Sequence, residues 1–529
     1  MEALDWLVIG VFFLALIGII VWVVRQKQND SADYFLGGRD ATWLAIGASI
    51  FASNIGSEHL IGLAGAGASS GMAMAHWEIQ GWMILILGWV FVPFYTRSMV
   101  YTMPEFLERR YNPQSRTILS VISLVSYVLT KVAVTVYAGG LVFQQVFGIK
   151  ELWGIDFFWI AAIGLVVLTA LYTIFGGMKS VLYTSVLQTP ILLLGSLIIL
   201  VLGFKELGGW DEMMRVCGAV TVNDYGDTMT NLIRSNDDAN FPWLGALIGS
   251  AIIGFWYWCT DQFIVQRVLS GKNEMEARRG TIFGAYLKLL PVFLFLIPGM
   301  IAFALHQKYI GAGGEGFLPM LANGTANADA AFPTLVAKLL PAGVKGLVVC
   351  GILAALMSSL ASLFNSSAML FTIDFYKRFK PETPEKKLVG IGQIATIVIV
   401  VLGILWIPIM RSVGDVLYTY LQDVQSVLAP GIAAAFLLGI CWKRTSAQGG
   451  MWGLISGMVI GLTRLGAKVY YSNAGEVADS TFKYLFYDMN WLFFCGWMFL
   501  FCIIVVIVVS LATEAPTAEK IQGLVFGTA

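Results

Sequence analysis

The chain has 529 residues, 58% of them hydrophobic and only 12% charged, with a formal net charge of +0. A soluble domain carries about 25% charged residues, so the composition excludes an ordinary soluble fold. The balanced charge gives no electrostatic reason to expect nucleic acid.

Apolar runs of about 20 residues recur from end to end, each long enough to cross a bilayer. Read in chain order, they predict about thirteen spans, near 4–24, 42–66, 74–96, 117–147, 153–175, 181–203, 242–266, 281–304, 343–376, 387–409, 414–441, 447–471 and 490–512. The first lacks a basic leader and a small-residue cleavage site, so it reads as a retained span. The longest loops, 204–241 and 305–342, are too short for a separate catalytic or nucleotide-hydrolysing domain. Basic residues set the orientation. Arg25, Lys27 and Arg39, then Arg97, Arg109, Arg110 and Arg116, then Arg267, Lys272, Arg278 and Arg279, then Lys377, Arg378 and Lys380 alternate with poorer loops. This predicts a cell-membrane protein with its N-terminus outside and its C-terminus in the cytoplasm.

The second span is interrupted. Ser53, Asn54, Gly56, Ser57, Glu58 and His59 fall at its centre. Polar side chains there are costly unless they line a pathway, and an unwound backbone is tolerated only around a cavity. A discontinuous helix that holds an ion and a solute is the expected outcome. The seventh span echoes it: Trp43-Leu44 opens one and Trp243-Leu244 the other, each followed by Ile-Gly and a polar interruption.

Further along, Ser358, Ser359, Ser362, Asn365, Ser366 and Ser367 cluster within ten residues. A lone serine usually bonds back to its own helix, but this many neutral oxygens suit a monovalent cation such as Na⁺. A Ca²⁺ site would normally include carboxylates. His59, Glu78, Asp261, Lys288 and Gln422 are polar groups at membrane depth, candidates for function by default. A structural ion pair of Glu78 with Lys288 is the plainer reading of those two. The aromatic run Phe255–Trp258 beside Asp261, with these hydrogen-bonding groups, fits a small-molecule pocket and a neutral sugar or polyol better than an amino acid. Three histidines, no phosphate-binding glycine loop and no nucleophile elbow argue against an enzyme. Six cysteines, five of them in apolar spans, give neither a disulfide framework nor metal spacing.

Eight motifs resemble the sodium/solute symporter family, in its sodium–glucose cotransporter branch. They are Ala52–His59, Met103–Leu107, Gly176–Thr184, Trp256–Gln262, Tyr286–Leu289, Met357–Ser366, Tyr420–Gln422 and Phe436–Arg444. The resemblance runs from about 31 to 527. It implies an all-α membrane fold with a five-plus-five inverted repeat. The divisions would be 1–41 (extra span and loop), 42–203 (first repeat), 204–241 (outer loop), 242–441 (second repeat) and 442–529 (C-terminal spans and tail). It also implies alternating-access import of a glucose- or galactose-like monosaccharide. Na⁺ would be held by Ala52, Ile55 and Ala355 carbonyls with Ser358 and Ser359 hydroxyls, and the sugar by Asn54, His59, Glu78, Tyr257, Trp258, Lys288 and Gln422. Outer gates would be Leu63, Trp77 and Tyr418; Tyr257 would close the pocket inward, with Asp261 and Arg267 as charged gating residues. An inositol, sialic acid or amino acid symporter, or a non-transporting sugar sensor or channel, is the alternative within the fold.

The chain departs from the pattern at three points. Ser185 stands where relatives carry Asp and Ala361 replaces an expected hydroxyl, which predicts one Na⁺ per sugar. Gly254 stands where sugar carriers have Asn or Thr. The last span of the animal proteins is also expected to be missing.

Overall fold

A computed structural model describes residues 1–26, 30–56, 58–321, 324–413, 417–473 and 478–528, without the side chains of 129–130, 409–413, 417–423 and 473. The described residues are mostly helical, with one two-stranded sheet of Glu151–Leu152 and Ile155–Asp156. Among the described residues nine helical stretches are long and apolar enough to cross a membrane. This is fewer than the thirteen spans predicted: of 117–147 only Ala133–Phe147 stands out as a shorter apolar helix, and the other differences have local reasons. The 42–66 span is cut in two, and the 447–471 span carries Arg464 and Lys468. The 153–175 and 181–203 spans run together as the single helical stretch Phe157–Leu207.

That stretch reverses at Gly177, where φ is 51° and ψ is −148°. Tyr172 donates to the Met357 carbonyl (2.9 Å) and Met178 accepts from Asn365, farther along the helix Val344–Met369. Leu192 and Gly195 then return to Gly351 and Val348. The chain doubles back with no loop, because glycine alone tolerates this backbone conformation readily and Tyr34 packs against the turn.

Two twelve-residue helices, Trp43–Asn54 and Trp243–Gly254, both start after an extended residue and both lead to a break. The first stops at Ile55 (ψ 102°) and resumes at Glu58–Leu63. The second passes through Phe255–Thr260, breaks at the extended Asp261 and resumes as Gln262–Leu269. Trp43 starts beside Glu276, which accepts its amide. Trp243 starts at the opposite end of the second broken helix, beside the 204–241 loop. The broken pair is therefore inverted. Around both breaks the helix is wound as π, with one residue more per turn, a winding frequent at functional sites.

Small residues bring the scaffold helices close. A Cβ on Gly280 would meet Ile46 and the Trp43 carbonyl, and one on Gly284 would meet Ile50. The N-terminal helix Ala3–Val24 is tied in by Asp5, whose carboxylate accepts the Gly343 and Gly346 amides (2.7 and 2.8 Å) at the start of Val344–Met369. The 204–241 loop docks beside the first broken helix. Met72 donates to the Met229 carbonyl at 2.7 Å, and Arg234 donates to the Ser70 carbonyl.

Candidate functional site

The two breaks face one small cavity of ≈ 20 Å³, about the room a single water molecule needs. The first break contributes Asn54, Glu58 and His59, and the second contributes Ile253, Tyr257 and Trp258. Trp77 and Gln80 close one side, with Lys288 and Gln425 from two further helices. Asn54 Nδ2 donates to the Tyr257 hydroxyl at 2.9 Å, so the amide of one break holds the ring of the other. Tyr257 and Trp258 meet edge to face with centroids 4.9 Å apart.

Lys288 Nζ lies 2.7 Å from Glu78 Oε2 and 2.7 Å from His59 Nε2; His59 Nε2 lies 3.2 Å from Glu78 Oε1. All three residues are buried. His59 Nε2 thus lies between an ammonium and a carboxylate, while His59 Nδ1 and Asn54 Oδ1 have no partner among the described residues. The cavity wall keeps two polar atoms unmet.

Of the residues expected to bind solute, Asn54, His59, Tyr257, Trp258 and Lys288 come together here. Glu78 differs: it is fully buried behind the wall and ion-paired, so the plainer reading of Glu78 with Lys288 is the contact the structure forms. Trp77 lines the cavity and stacks edge-on with Trp491 at 5.9 Å, whereas Leu63 is buried in the apolar core. The side chains of Gln422 and Tyr418 lie outside the described residues. Sequence reasoning missed Gln80 and Gln425 as wall residues. Gln80 is two residues from Glu78 and Gln425 three from Gln422, so the signal was proximity to polar residues already noted.

Below the first break the serine cluster meets the unwound backbone. Ser359 Oγ donates to the Ser53 carbonyl at 2.7 Å and lies 3.5 Å from that of Ile55. Ser53 Oγ and Ser362 Oγ are 2.7 Å apart, and Ser358 Oγ is 3.3 Å from Ser185 Oγ. Ala52 and Ala355 are buried in the same two helices. The carbonyl that Ser359 reaches first is that of Ser53 rather than Ala52. A Cβ on Gly56 would lie 2.8 Å from Ser359 Oγ, so glycine is what admits the hydroxyl.

At the second break Asp261 caps the following helix through the Phe263 amide (3.2 Å). It also pairs with Lys131 Nζ at 2.7 Å and accepts from the Tyr127 hydroxyl. Asp261 and Arg267, expected together as charged gating residues, have separate partners: Arg267 Nε donates to Ser53 Oγ at 3.1 Å and its guanidinium lies over Phe263. Lys131, missed in the sequence, is a buried cation in an otherwise apolar span.

The chain as a whole is similar to known proteins. The sodium:solute symporter family matches residues 34–457. The chain is 37% identical over 542 residues to the sodium/myo-inositol cotransporter 2 of Mus musculus, covering 100% of this chain and 80% of that protein. It is 36% identical over 537 residues to the sodium/glucose cotransporter 4 of Danio rerio, covering 98% and 80%. Among solved structures, it superposes on a substrate-bound outward-open Na⁺-coupled sialic acid symporter with a TM-score of 0.77 at 21% identity, covering 98% and 99%. With Mhp1, a nucleobase-cation-symport-1 family transporter, the TM-score is 0.51 at 14% identity, covering 94% and 98%. At those identities the structural likenesses concern the fold.

Proposed function

The chain belongs to the sodium:solute symporter family and is a multi-pass, sodium-coupled symporter rather than an enzyme; on that premise we propose that it imports a neutral polyhydroxyl ring, one Na⁺ per solute. The ring is a glucose- or galactose-like monosaccharide or a cyclic polyol of the myo-inositol kind. The observation that carries this reading is the cavity wall. Asn54, His59, Gln80, Lys288 and Gln425 offer directional donors and acceptors beside the faces of Tyr257 and Trp258, the mixture a ring with many hydroxyls requires. The names of the relatives support a polyol as much as a hexose.

In this proposal Na⁺ is held at the first break by carbonyls of Ala52 and Ile55, the Ala355 carbonyl and the hydroxyls of Ser358 and Ser359. The reach of Ser359 into the broken backbone supports it. Ion binding joins the first broken helix to Val344–Met369 and so shapes the adjoining cavity. Solute then binds across Asn54 and Tyr257, bridging both breaks. The repeats, 42–203 and 242–441, rock about the bound solutes, with Trp77, Leu63 and Tyr418 outside and Tyr257, Asp261 and Arg267 inside. Glu78 acts by holding Lys288 and His59. Ion and solute each favour the same closed form, so each raises the other's affinity by the same factor. The N-terminus is assigned to the outside of the cell membrane and the C-terminal tail to the cytoplasm, from the basic loops.

A single Na⁺ is supported by the surroundings of Ser185. Its hydroxyl donates to the Val181 carbonyl at 2.6 Å and brings no charge toward Ser358, and Ala361 adds no oxygen. Uptake into proteoliposomes under a sodium gradient, over hexoses, inositols, sialic acid and amino acids, tests the reading. Accumulation of the first two classes is expected. Sodium-driven uptake of amino acids alone overturns it, and binding without accumulation would make the chain a sensor.

A further inference from the structure

Gly254 lies in the helix that enters the second break, three residues before Tyr257, with φ −61° and ψ −41°. These are ordinary helical angles, so the backbone does not require glycine there, and glycine in a helix interior is destabilising relative to alanine. What the position requires is space. A Cβ on Gly254 would lie 2.5 Å from Gln80 Oε1 and 3.2 Å from Met83. The side-chain carbonyl of Gln80 occupies the volume that any other residue at 254 would fill.

Gln80 itself follows the short helix Ala75–Ile79, two residues beyond Glu78. It is 5% exposed and lines the cavity. Its backbone N–H donates to the His76 carbonyl at 3.2 Å, but its side-chain amide has no hydrogen-bond partner among the described residues. The next residue, Gly81, faces the Lys288 stem, with 3.0 Å from its Cβ position to Lys288 Cγ. The segment that positions Lys288 therefore also delivers Gln80. Buried amides are normally bonded, and one left open toward a cavity is a donor and acceptor pair awaiting a partner.

We infer that Gln80, admitted by the missing side chain at Gly254, is a specificity-determining residue that reads one hydroxyl of the transported ring. This rests on the polyhydroxyl reading of the cavity. Read this way, the chain does not lack the contact that Asn or Thr at 254 would make; the contact comes from the facing helix instead. The amide can donate and accept at once, so it distinguishes a hydroxyl in place from a hydrogen or an O-methyl group there. A site built to bond a hydroxyl discriminates strongly against the analogue that lacks it.

The test uses purified full-length protein in proteoliposomes, with sodium-driven uptake of labelled glucose and myo-inositol competed by their single-deoxy and single-O-methyl derivatives. Wild type is expected to disfavour one deoxy position by about tenfold, the equivalent of one hydrogen bond. Gln80→Ala should erase that one preference and leave the ranking of the other derivatives in place. Gly254→Ala should give the same altered ranking by displacing Gln80. The double variant should be no worse than either alone, since both remove one contact. Gln80→Ala adds no atoms, so it decides the matter by itself where Gly254→Ala does not fold. Unchanged discrimination in Gln80→Ala, an even loss across all derivatives, or losses that multiply in the double variant overturn the inference. Wild type that takes up no hexose or polyol overturns the functional reading as well, which separates the two failures.

Discussion

Ser359 stands where one hydroxyl meets a broken backbone, and the burial of its neighbours makes its role testable. Ser359→Ala removes an oxygen beside the Ser53 and Ile55 carbonyls without adding bulk. Sodium-driven uptake should vanish while the melting temperature in detergent stays within a few degrees. Normal sodium dependence in that variant would place the ion elsewhere. Glu78 gives a second prediction. Removing one partner of a buried ion pair leaves the other charge stranded, at a cost of about 3–5 kcal/mol. Glu78→Ala should therefore lower thermal stability strongly, and Lys288→Met added to it should restore part of the loss. A double variant no more stable than Glu78→Ala would show that the pair is not coupled. At this scale the sequence was legible where polarity interrupts an apolar run, as at Asn54 and His59. Lys131 and Gln80 escaped because nothing in their own spans marks the partner. Asp261 is distant in sequence from Lys131, and Gly254 from Gln80.

Between elements, the informative feature is a glycine that replaces a loop. The Gly176-Gly177 pair is visible in the chain, but the sequence reading split it into two spans with a connection, because hydropathy cannot distinguish a sharp reversal from a short loop. Gly177 has a positive φ and faces the Tyr34 carbonyl. Gly177→Ala should destabilise the protein by about 1–3 kcal/mol, read as a lowered melting temperature. A variant as stable as wild type would mean that the turn can relax. The paired broken helices were more legible: Trp43-Leu44 and Trp243-Leu244 each open a twelve-residue helix that leads to a break. A polar interruption within an apolar span signals its own geometry. The π winding around each break leaves no such trace, because the register shift changes no residue type.

Across the molecule, the 204–241 loop and the apolar helical core respond to different variables. The loop carries Asp238, buried among the amides of Phe241 (2.7 Å) and Asn240 (2.9 Å), the Asn223 side chain (2.7 Å) and Arg234 (3.5 Å). Burial alone would raise its carboxyl. The Phe241 amide, Asn223, the Asn240 amide and Arg234 outweigh that and hold it below the ordinary value. Its contribution is therefore complete above about pH 3.9, the unfolded value, and is lost as the pH falls through the lower folded value. Hydrogen exchange at the 238–241 amides, corrected for intrinsic rate, should stay slow at pH 5 and rise only below pH 4. Faster exchange already at pH 5 would contradict this account.

The oxygens gathered around Ser359 are hydroxyls and main-chain carbonyls, groups that carry no formal charge. A cation seated there keeps its full charge as it crosses, so the membrane voltage acts on every cycle. One elementary charge moved through 100 mV is worth about 2.3 kcal/mol, which for a neutral solute is about a fiftyfold accumulation with no sodium gradient at all. Two ions per cycle would square that ratio. With Na⁺ held as proposed, the carrier therefore draws on the electrical potential of the membrane as well as on salt, and the steepness with which accumulation follows voltage counts the ions directly.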